Sequence, residues 1–228
     1  MLIHPWDSAI SADEWQRWLA TTDLFGVLAV NNIDPQHAPV LVPTHFVLAP
    51  GADTLLVHLA RPNPAWNHLE ASQEVCLMVM GDYAFIPGYW RAAEGTDERN
   101  GVPTSYYTAV QFFCRPTIID DPQEKAELLR TQLETFQPEG NHGEVIPEAP
   151  PYGSLLNGIR GLRLEITDVR AKFKYDDAKP VELRQRTASE LDRRGQGLDH
   201  SAASAQRRRT SAIAEWRAFS HSRTQSER

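Results

Sequence analysis

The sequence predicts an α+β fold, an antiparallel barrel with helices at its periphery. Three observations carry this. Short apolar, β-branched runs recur as far as Phe173 and are separated by turn residues rather than long helices, the pattern of hairpins and not of βαβ units. No G-x-G-x-x-G and no P-loop is present, so a doubly wound nucleotide-binding sheet has no local support. Hydrophobic residues make up 41% and charged residues 23% of the 228, an ordinary globular composition, in a chain long enough for one domain or two small ones.

The elements follow in order. Ser11-Ala-Asp-Glu14 has the form of a capping box, and Trp15, Trp18 and Leu19 then fall at helical spacing. Both tryptophans are expected in the core. Leu24–Val30 reads as a strand buried on both faces, and Asn31-Asn-Ile-Asp-Pro35 as a turn. Pro39–Leu48 reads as a second strand, whose prolines suit an edge or an irregular ladder. Thr54–Leu59 is a third. Asn63 caps a short helix with Pro64 at its first position. Glu74–Met80 and Tyr83–Ile86 are predicted as two strands joined by Gly81-Asp82. Tyr107–Ile119 is a long strand, and Asp120-Asp121-Pro122 opens a helix to about Phe136, with its acids at the positive end of the dipole. Gln137–Pro151 is an irregular connection, Tyr152–Gly158 a short helix, and Ile159–Phe173 an alternating strand. Asp199–Phe219 is expected as a terminal helix with a weak apolar stripe of Ile213, Trp216 and Phe219.

Charge divides the chain. From Arg184 onward there are ten Arg, no Lys and five acids, a balance of +5; the net charge of −7 leaves −12 for the rest. The boundaries expected are therefore a domain over residues 1–183 and a basic, Arg-rich tail over 184–228. An acidic body excludes a general nucleic-acid-coating protein. Gln206-Arg-Arg-Arg-Thr210, with Arg184, Arg186, Arg193 and Arg194, suits DNA phosphates, although no helix-turn-helix accompanies it; a solvated tail, or one pairing with the acidic body of a partner subunit, is the alternative reading. Cys76 and Cys114 read as buried thiols of a reducing compartment. The N-terminus lacks the pattern of a signal peptide, and no apolar run is long enough to span a bilayer, so the expected location is cytoplasmic.

One segment carries most of the functional information: His58-Leu-Ala-Arg-Pro-Asn-Pro-Ala-Trp66. Arg61 offers a fixed fork of donors. The first turn after Asn63 presents the N–H groups of Ala65 and Trp66 at a positive helix end. His58 adds a further donor. An anionic, flat ligand suits that set, and flavin mononucleotide (FMN) fits it. Its ring needs an apolar wall and backbone groups at its polar edge. Trp66, Tyr83, Trp90, Tyr106 and Tyr107 are the candidate walls, and Val40–His45 with Thr44 the candidate edge. No catalytic carboxylate pair, Ser/His/Asp set or metal spacing stands out, and flavin chemistry requires no catalytic side chain.

His58–Trp66, Tyr83-Ala-Phe-Ile-Pro-Gly-Tyr-Trp90, Val102-Pro-Thr104 with Tyr107, and Lys172-Phe-Lys174 with Lys179-Pro180 resemble, in this order, the PaiB-type FMN-binding family of negative transcriptional regulators. The resemblance runs from about Trp6 to about Leu191. It implies a split β-barrel homodimer with FMN at the subunit interface. His58, Arg61 and Asn63 would lie on the phosphate side and Thr44 would face the ring. Thr104 and Tyr107 would reach the cofactor from the partner subunit. Two departures stand out. The family reads Pro-Thr-Trp-Asn-Tyr where this chain has Pro103-Thr-Ser-Tyr-Tyr107, and Leu-Ser-Gln-Asn where it has Tyr175-Asp-Asp-Ala178. The function implied is an FMN-binding repressor. The alternatives are a flavin-dependent oxidoreductase of the flavin reductase or pyridoxamine-phosphate oxidase type, and a flavin-free or haem-binding relative.

Overall fold

A computed structural model describes residues 1–51 and 53–226, with side chains described as far as residue 213. In chain order the elements are α1 (Glu14–Leu19), β1 (Phe25–Val30), β2 (Val40–His45), β3 (Val47–Leu48), β4 (Thr54–Ala60), α2 (Ala65–Ala71), β5 (Val75–Ile86), β6 (Thr104–Ile119), α3 (Pro122–Phe136), β7 (Ile159–Lys174), α4 (Val181–Arg194) and α5 (Asp199–Ser226). The α+β split barrel expected from the sequence is what forms: one seven-stranded sheet in the order β2-β1-β5-β6-β7-β4-β3, with helices outside it. Among the described residues no helix is long and apolar enough to cross a membrane.

The chain resolves into two compact units whose boundaries fall between α1 and β1 and inside β5, β6 and β7. The barrel unit comprises Asp23–Val79 and Gln111–Arg170. Here β1 pairs antiparallel with β2 from Phe25↔His45 to Val30↔Val40, and β4 pairs with β7 from Thr54↔Glu165 to Ala60↔Ile159. Side chains alternate across a strand, so this register buries Leu28, Val30, Val42, Leu55, Val57, Leu77, Leu162 and Leu164. The same alternation turns Phe25, Val27 and Leu41 outward. β2 and β3 stand at opposite ends of the strand order, yet only Phe46 separates them in the chain. That geometry requires the sheet to curl back on itself. The imidazole of His45 in β2 accordingly meets that of His58 in β4 edge-on at 5.0 Å. Gly26 is needed where β1 crosses β5, because a Cβ there would sit 2.7 Å from the carbonyl of Met78.

Pro122 opens α3, and the Asp121 carboxylate accepts from the N–H groups of Gln123 and Glu124 at 2.9 and 3.0 Å. Ala126 buries itself against Val145 and Leu156, so α3 holds down the irregular connection.

The helical unit comprises Met1–Thr22, Met80–Val110 and the chain from Ala171 onward. The two strands expected at Glu74–Met80 and Tyr83–Ile86 are one strand, β5. Its inward positions run Val75, Leu77, Val79, then Asp82, Ala84, Ile86. The phase therefore slips by one residue at Gly81, and Asp82 takes a φ of 55°. This is bulge geometry rather than a chain reversal. The capping box at the start of α1 does not form: the Glu14 carboxylate accepts from Ile10 N–H at 2.6 Å, while the Ser11 hydroxyl accepts from Arg17. Residues 184–228, expected as a tail, contribute most of α4 and all of α5. Gly195 ends α4 in the left-handed region at φ 59°, and Ala188, Leu191, Ala202 and Ala203 are fully buried where small side chains suit close helix packing. For the terminal stripe, the side chains of Trp216 and Phe219 lie outside the described residues.

Candidate functional site

In the barrel unit Arg61 stands just past the end of β4, half exposed. Its Nε donates to the carbonyl of Asn157 at 2.9 Å, which fixes the plane of the guanidinium. Its outer nitrogen reaches Asp120 and the carbonyl of Ile159 only at 3.4 and 3.5 Å. Beside it, Arg160 grips Asp120 through two bonds of 2.7 and 2.9 Å and Glu70 through one of 2.8 Å. Lys125, buried in α3, donates to the carbonyls of Leu156 and Ile159 at 2.6 and 3.4 Å. The hydrogen bond from Arg160, helped by the charges of Arg160, Arg61 and Lys125, holds the Asp120 carboxyl below the usual carboxylate range. Three cations thus converge on Asp120, with the Arg61 fork the least committed of them.

Asn63 and Trp66 join this cluster in a different way from that expected. The Asn63 side chain accepts from Ala65 N–H at 2.9 Å, and Trp66 N–H donates to the Asn63 carbonyl at 3.3 Å. The helix-start donors are therefore already spent locally. Trp66 is 4% exposed, with its Nε1 on the Ala60 carbonyl and the Arg160 guanidinium 4.9 Å above its ring. It serves as a platform for Arg160 rather than as an open wall.

His58 belongs to another set. It lies one strand face away, with Nδ1 2.6 Å from the Gln132 carboxamide oxygen and its ring against His45, which in turn meets Phe136 at 5.3 Å. Burial, and secondarily the neighbouring His58, push the His45 pKa down; the hydrogen bond with Gln132 opposes this. Thr44 is 5% exposed, and its hydroxyl donates to the adjacent His45 carbonyl at 3.0 Å.

In the helical unit Thr104 and Tyr107 do come together. Lys174 donates to the Thr104 hydroxyl at 3.0 Å, and the ammonium groups of Lys172 and Lys174 lie 5.7 and 5.8 Å from the Tyr107 ring. Lys172 also donates to the Leu2 carbonyl at 2.9 Å. Two lysines on one strand face, two residues apart, are a signal the sequence offered in Lys172-Phe-Lys174. Arg160 and Lys125 had no such signal, because only the pairing of β4 with β7 and the seating of α3 bring them near Arg61.

Of the other aromatic candidates, Tyr83 is exposed and Trp90 is covered by Arg194 at 4.8 Å. Tyr106 is fully buried, its hydroxyl 3.3 Å from Asp176 and its ring edge-on to Tyr175 at 5.6 Å. Burial raises its pKa well above the ordinary phenol. Ser105-Tyr106 and Tyr175-Asp-Asp-Ala178 are the two stretches expected from the resemblance to depart from the family pattern. The structure joins them in one network. Asp176 receives Arg91 through bonds of 3.0 and 3.1 Å, and Asp177 receives Arg184 and Arg209 at 2.6 Å each. The departures together build the anchor for α4 and α5.

Residues 2–168 match the model of a family described as "Putative FMN-binding domain". The protease synthase and sporulation protein PAI 2 of Bacillus subtilis (strain 168) is 29% identical over 119 residues, 51% of this chain and 54% of the relative. The match thus spans about half the length of that relative. Among solved structures, the FAD and heme binding protein from Mycobacterium smegmatis has a TM-score of 0.55 at 16% identity, covering 77% of each chain. The flavocytochrome Anf3 from Azotobacter vinelandii has a TM-score of 0.52 at 19% identity, covering 73% of each. At these identities the likeness is one of fold.

Proposed function

The chain belongs to this FMN-binding domain family, with FMN the cofactor that membership implies, and on that premise we propose a PaiB-type regulatory flavoprotein, a repressor acting as a homodimer. The observation that carries the proposal is the cation cluster at Arg61, Arg160 and Lys125. A phosphate dianion needs more positive charge than Asp120 and Glu70 cancel, and a guanidinium already oriented by Asn157 loses little freedom in binding it. Arg61 takes the phosphate, Asn63 holds the loop beside it, and Trp66 supports Arg160. Thr104, Tyr107 and Lys174 form the complementary half-site, contributed by the partner subunit. The exposed apolar face of Phe25, Val27 and Leu41 supports the dimer, because such a patch on a soluble chain marks an association surface. Thr44 contributes by shaping the barrel interior, and His58, on the opposite face of its strand, by seating α3 through Gln132. Bound FMN supplies a redox-active ring.

The basic run contributes little to DNA binding in this reading. Arg207 pairs with Asp192 at 2.6 Å, Arg209 is buried on Asp177, and Gln206 bonds Thr210 at 3.1 Å. Repression would run through the flavin state or a partner rather than through phosphate contacts by this segment.

The test is the visible spectrum of the purified protein before and after excess FMN and desalting. Retained bands at roughly 370 and 450 nm are expected, as for oxidised flavins. A colourless protein after reconstitution would overturn the flavin reading. Rapid NAD(P)H oxidation by the flavin-loaded protein, without DNA retention at moderate salt, would replace the repressor with an oxidoreductase.

A further inference from the structure

The segment Leu2–Ser8 precedes α1 and is pinned to Lys172, one of the two lysines beside Tyr107. The Lys172 ammonium donates to the Leu2 carbonyl at 2.9 Å and stands 3.7 Å from the Asp7 carboxylate. Lys174, two residues on, donates to the Thr104 hydroxyl at 3.0 Å and has no ion pair among the described residues. The two ammonium groups lie 5.7 and 5.8 Å from the same ring. Thr104, Tyr107 and Lys174 are each partly exposed, whereas Lys172 is buried. One cation of this face is therefore open to a ligand, and the other is covered by the strap.

The strap is built to move as a body. A 3-10 turn over Pro5–Asp7 closes it, with Asp7 N–H on the His4 carbonyl at 2.8 Å and the Ser8 hydroxyl on the Pro5 carbonyl at 2.6 Å. The His4 imidazole stacks on the Trp6 indole at 4.8 Å. Leu2, His4, Pro5 and Trp6 are all exposed, and a segment with few buried contacts opens at low cost. The Asp7 side chain is buried, yet its cation stands beyond hydrogen-bond reach, an arrangement that repays desolvation poorly. The far end is fixed, because Arg209 donates to the Ser8 carbonyl at 2.9 Å and Ile10 N–H to Glu14 at 2.6 Å. Opening at Ser8 therefore frees Lys172 without disturbing α1.

We propose that the Leu2–Ser8 strap and FMN compete for Lys172, so that the strap regulates the half-site it covers. The proposal rests on the reading of Thr104, Tyr107 and Lys174 as part of the flavin site. An acceptor group of the cofactor drawn to Lys174 gains the second ammonium only by displacing Leu2 and Asp7. Coupling of this kind is reciprocal: a seated strap weakens FMN, and bound FMN releases the strap. Flavin occupancy becomes a conformational signal at the surface of the chain.

The test uses the full chain labelled with 5-fluorotryptophan, the Trp6 fluorine line being assigned through Trp6→Phe. Saturating FMN is expected to narrow that line and move it to the position it takes in Asp7→Asn. Asp7→Asn should also bind FMN about fivefold more tightly, the low end of couplings between linked sites. Glu182→Gln, which removes an equal charge from an exposed position on α4, should leave the affinity unchanged. A Trp6 line in the parent protein that FMN does not move would overturn the proposal and needs no variant to read. Equal FMN affinity in Asp7→Asn and Glu182→Gln would do the same, and in both cases the flavin reading stands. A parent protein that binds no FMN would overturn both.

Discussion

Asp177→Asn removes the charge that the helical unit is built around. The Asp177 side chain is 4% exposed and accepts from two guanidiniums, Arg184 at 2% and Arg209 at 5%. Arg209 keeps Glu14 and the Ser8 carbonyl after the substitution. Arg184 keeps no other ion pair among the described residues, and its Nε already lacks a hydrogen-bond partner there. An uncompensated buried charge costs about 3–5 kcal/mol. Against a typical total of about 5–15 kcal/mol that is a large fraction. At roughly 2–4 °C per kcal/mol for a chain of this size, the melting temperature should drop by about 6–20 °C. Urea denaturation followed by circular dichroism measures the change directly. Arg184→Met in the same background should recover part of the loss, with a coupling of about 0.5–3 kcal/mol, because the stranded cation goes with it. Arg163→Ala, which breaks an exposed pair with Glu124, should cost less than about 1 kcal/mol and serves as the control. If Asp177→Asn were within about 1 kcal/mol of the parent, the carboxylate would not be carrying the buried charges and the anchor argument would be wrong.

Three further outcomes are expected. Arg61→Ala should weaken FMN by about 1.5–3 kcal/mol in a fluorescence titration, the range for a hydrogen bond to a charged group, and unchanged affinity would remove Arg61 as the phosphate anchor. On the proposed homodimer, Leu41→Asp places a charge on the exposed face of β2 and should halve the mass of the parent by light scattering; a variant that stays as dimeric as the parent would move the proposed contact elsewhere. His45 has a folded pKa held below its unfolded value of 6.5, so the unfolded chain takes up a proton that the native state refuses, and stability should fall as pH drops through that value. His45→Gln should flatten the denaturation midpoint between pH 7 and 5, and an undiminished slope would assign the effect to another group.

β7 was legible because period-2 alternation at Leu162 and Leu164 reports burial locally, whereas β1, apolar throughout, reads as buried on both faces although its register turns Phe25 and Val27 outward. Gly81-Asp82 misled because a bulge and a tight turn use the same residues; only the inward positions on either side distinguish a phase slip from a reversal. The candidate site was legible at Arg61 only as a fixed positive charge, which the structure sets beside Arg160 and Asp120. It was less so at the helix start, where Asn63 satisfies the donors that an anion would otherwise use, and at His58, whose strand position sends it to Gln132. The burial of Arg209 was not legible because the acids that bind it, Asp177 and Glu14, are 32 and 195 residues away in the chain. Sequence spacing carries no information about such pairs.

The one-residue link at Phe46 also governs how copies of this chain can meet. A β-strand with unpaired backbone groups recruits strands from other molecules, and long flat margins of that kind lead to fibrils or swapped domains. Here the two outermost strands are consecutive, one carries Pro43 and the other is two residues long. Neither offers a run of donors and acceptors on which a foreign strand can template. Self-association is thereby channelled to side-chain surfaces, which saturate at a defined stoichiometry, and away from backbone pairing, which does not.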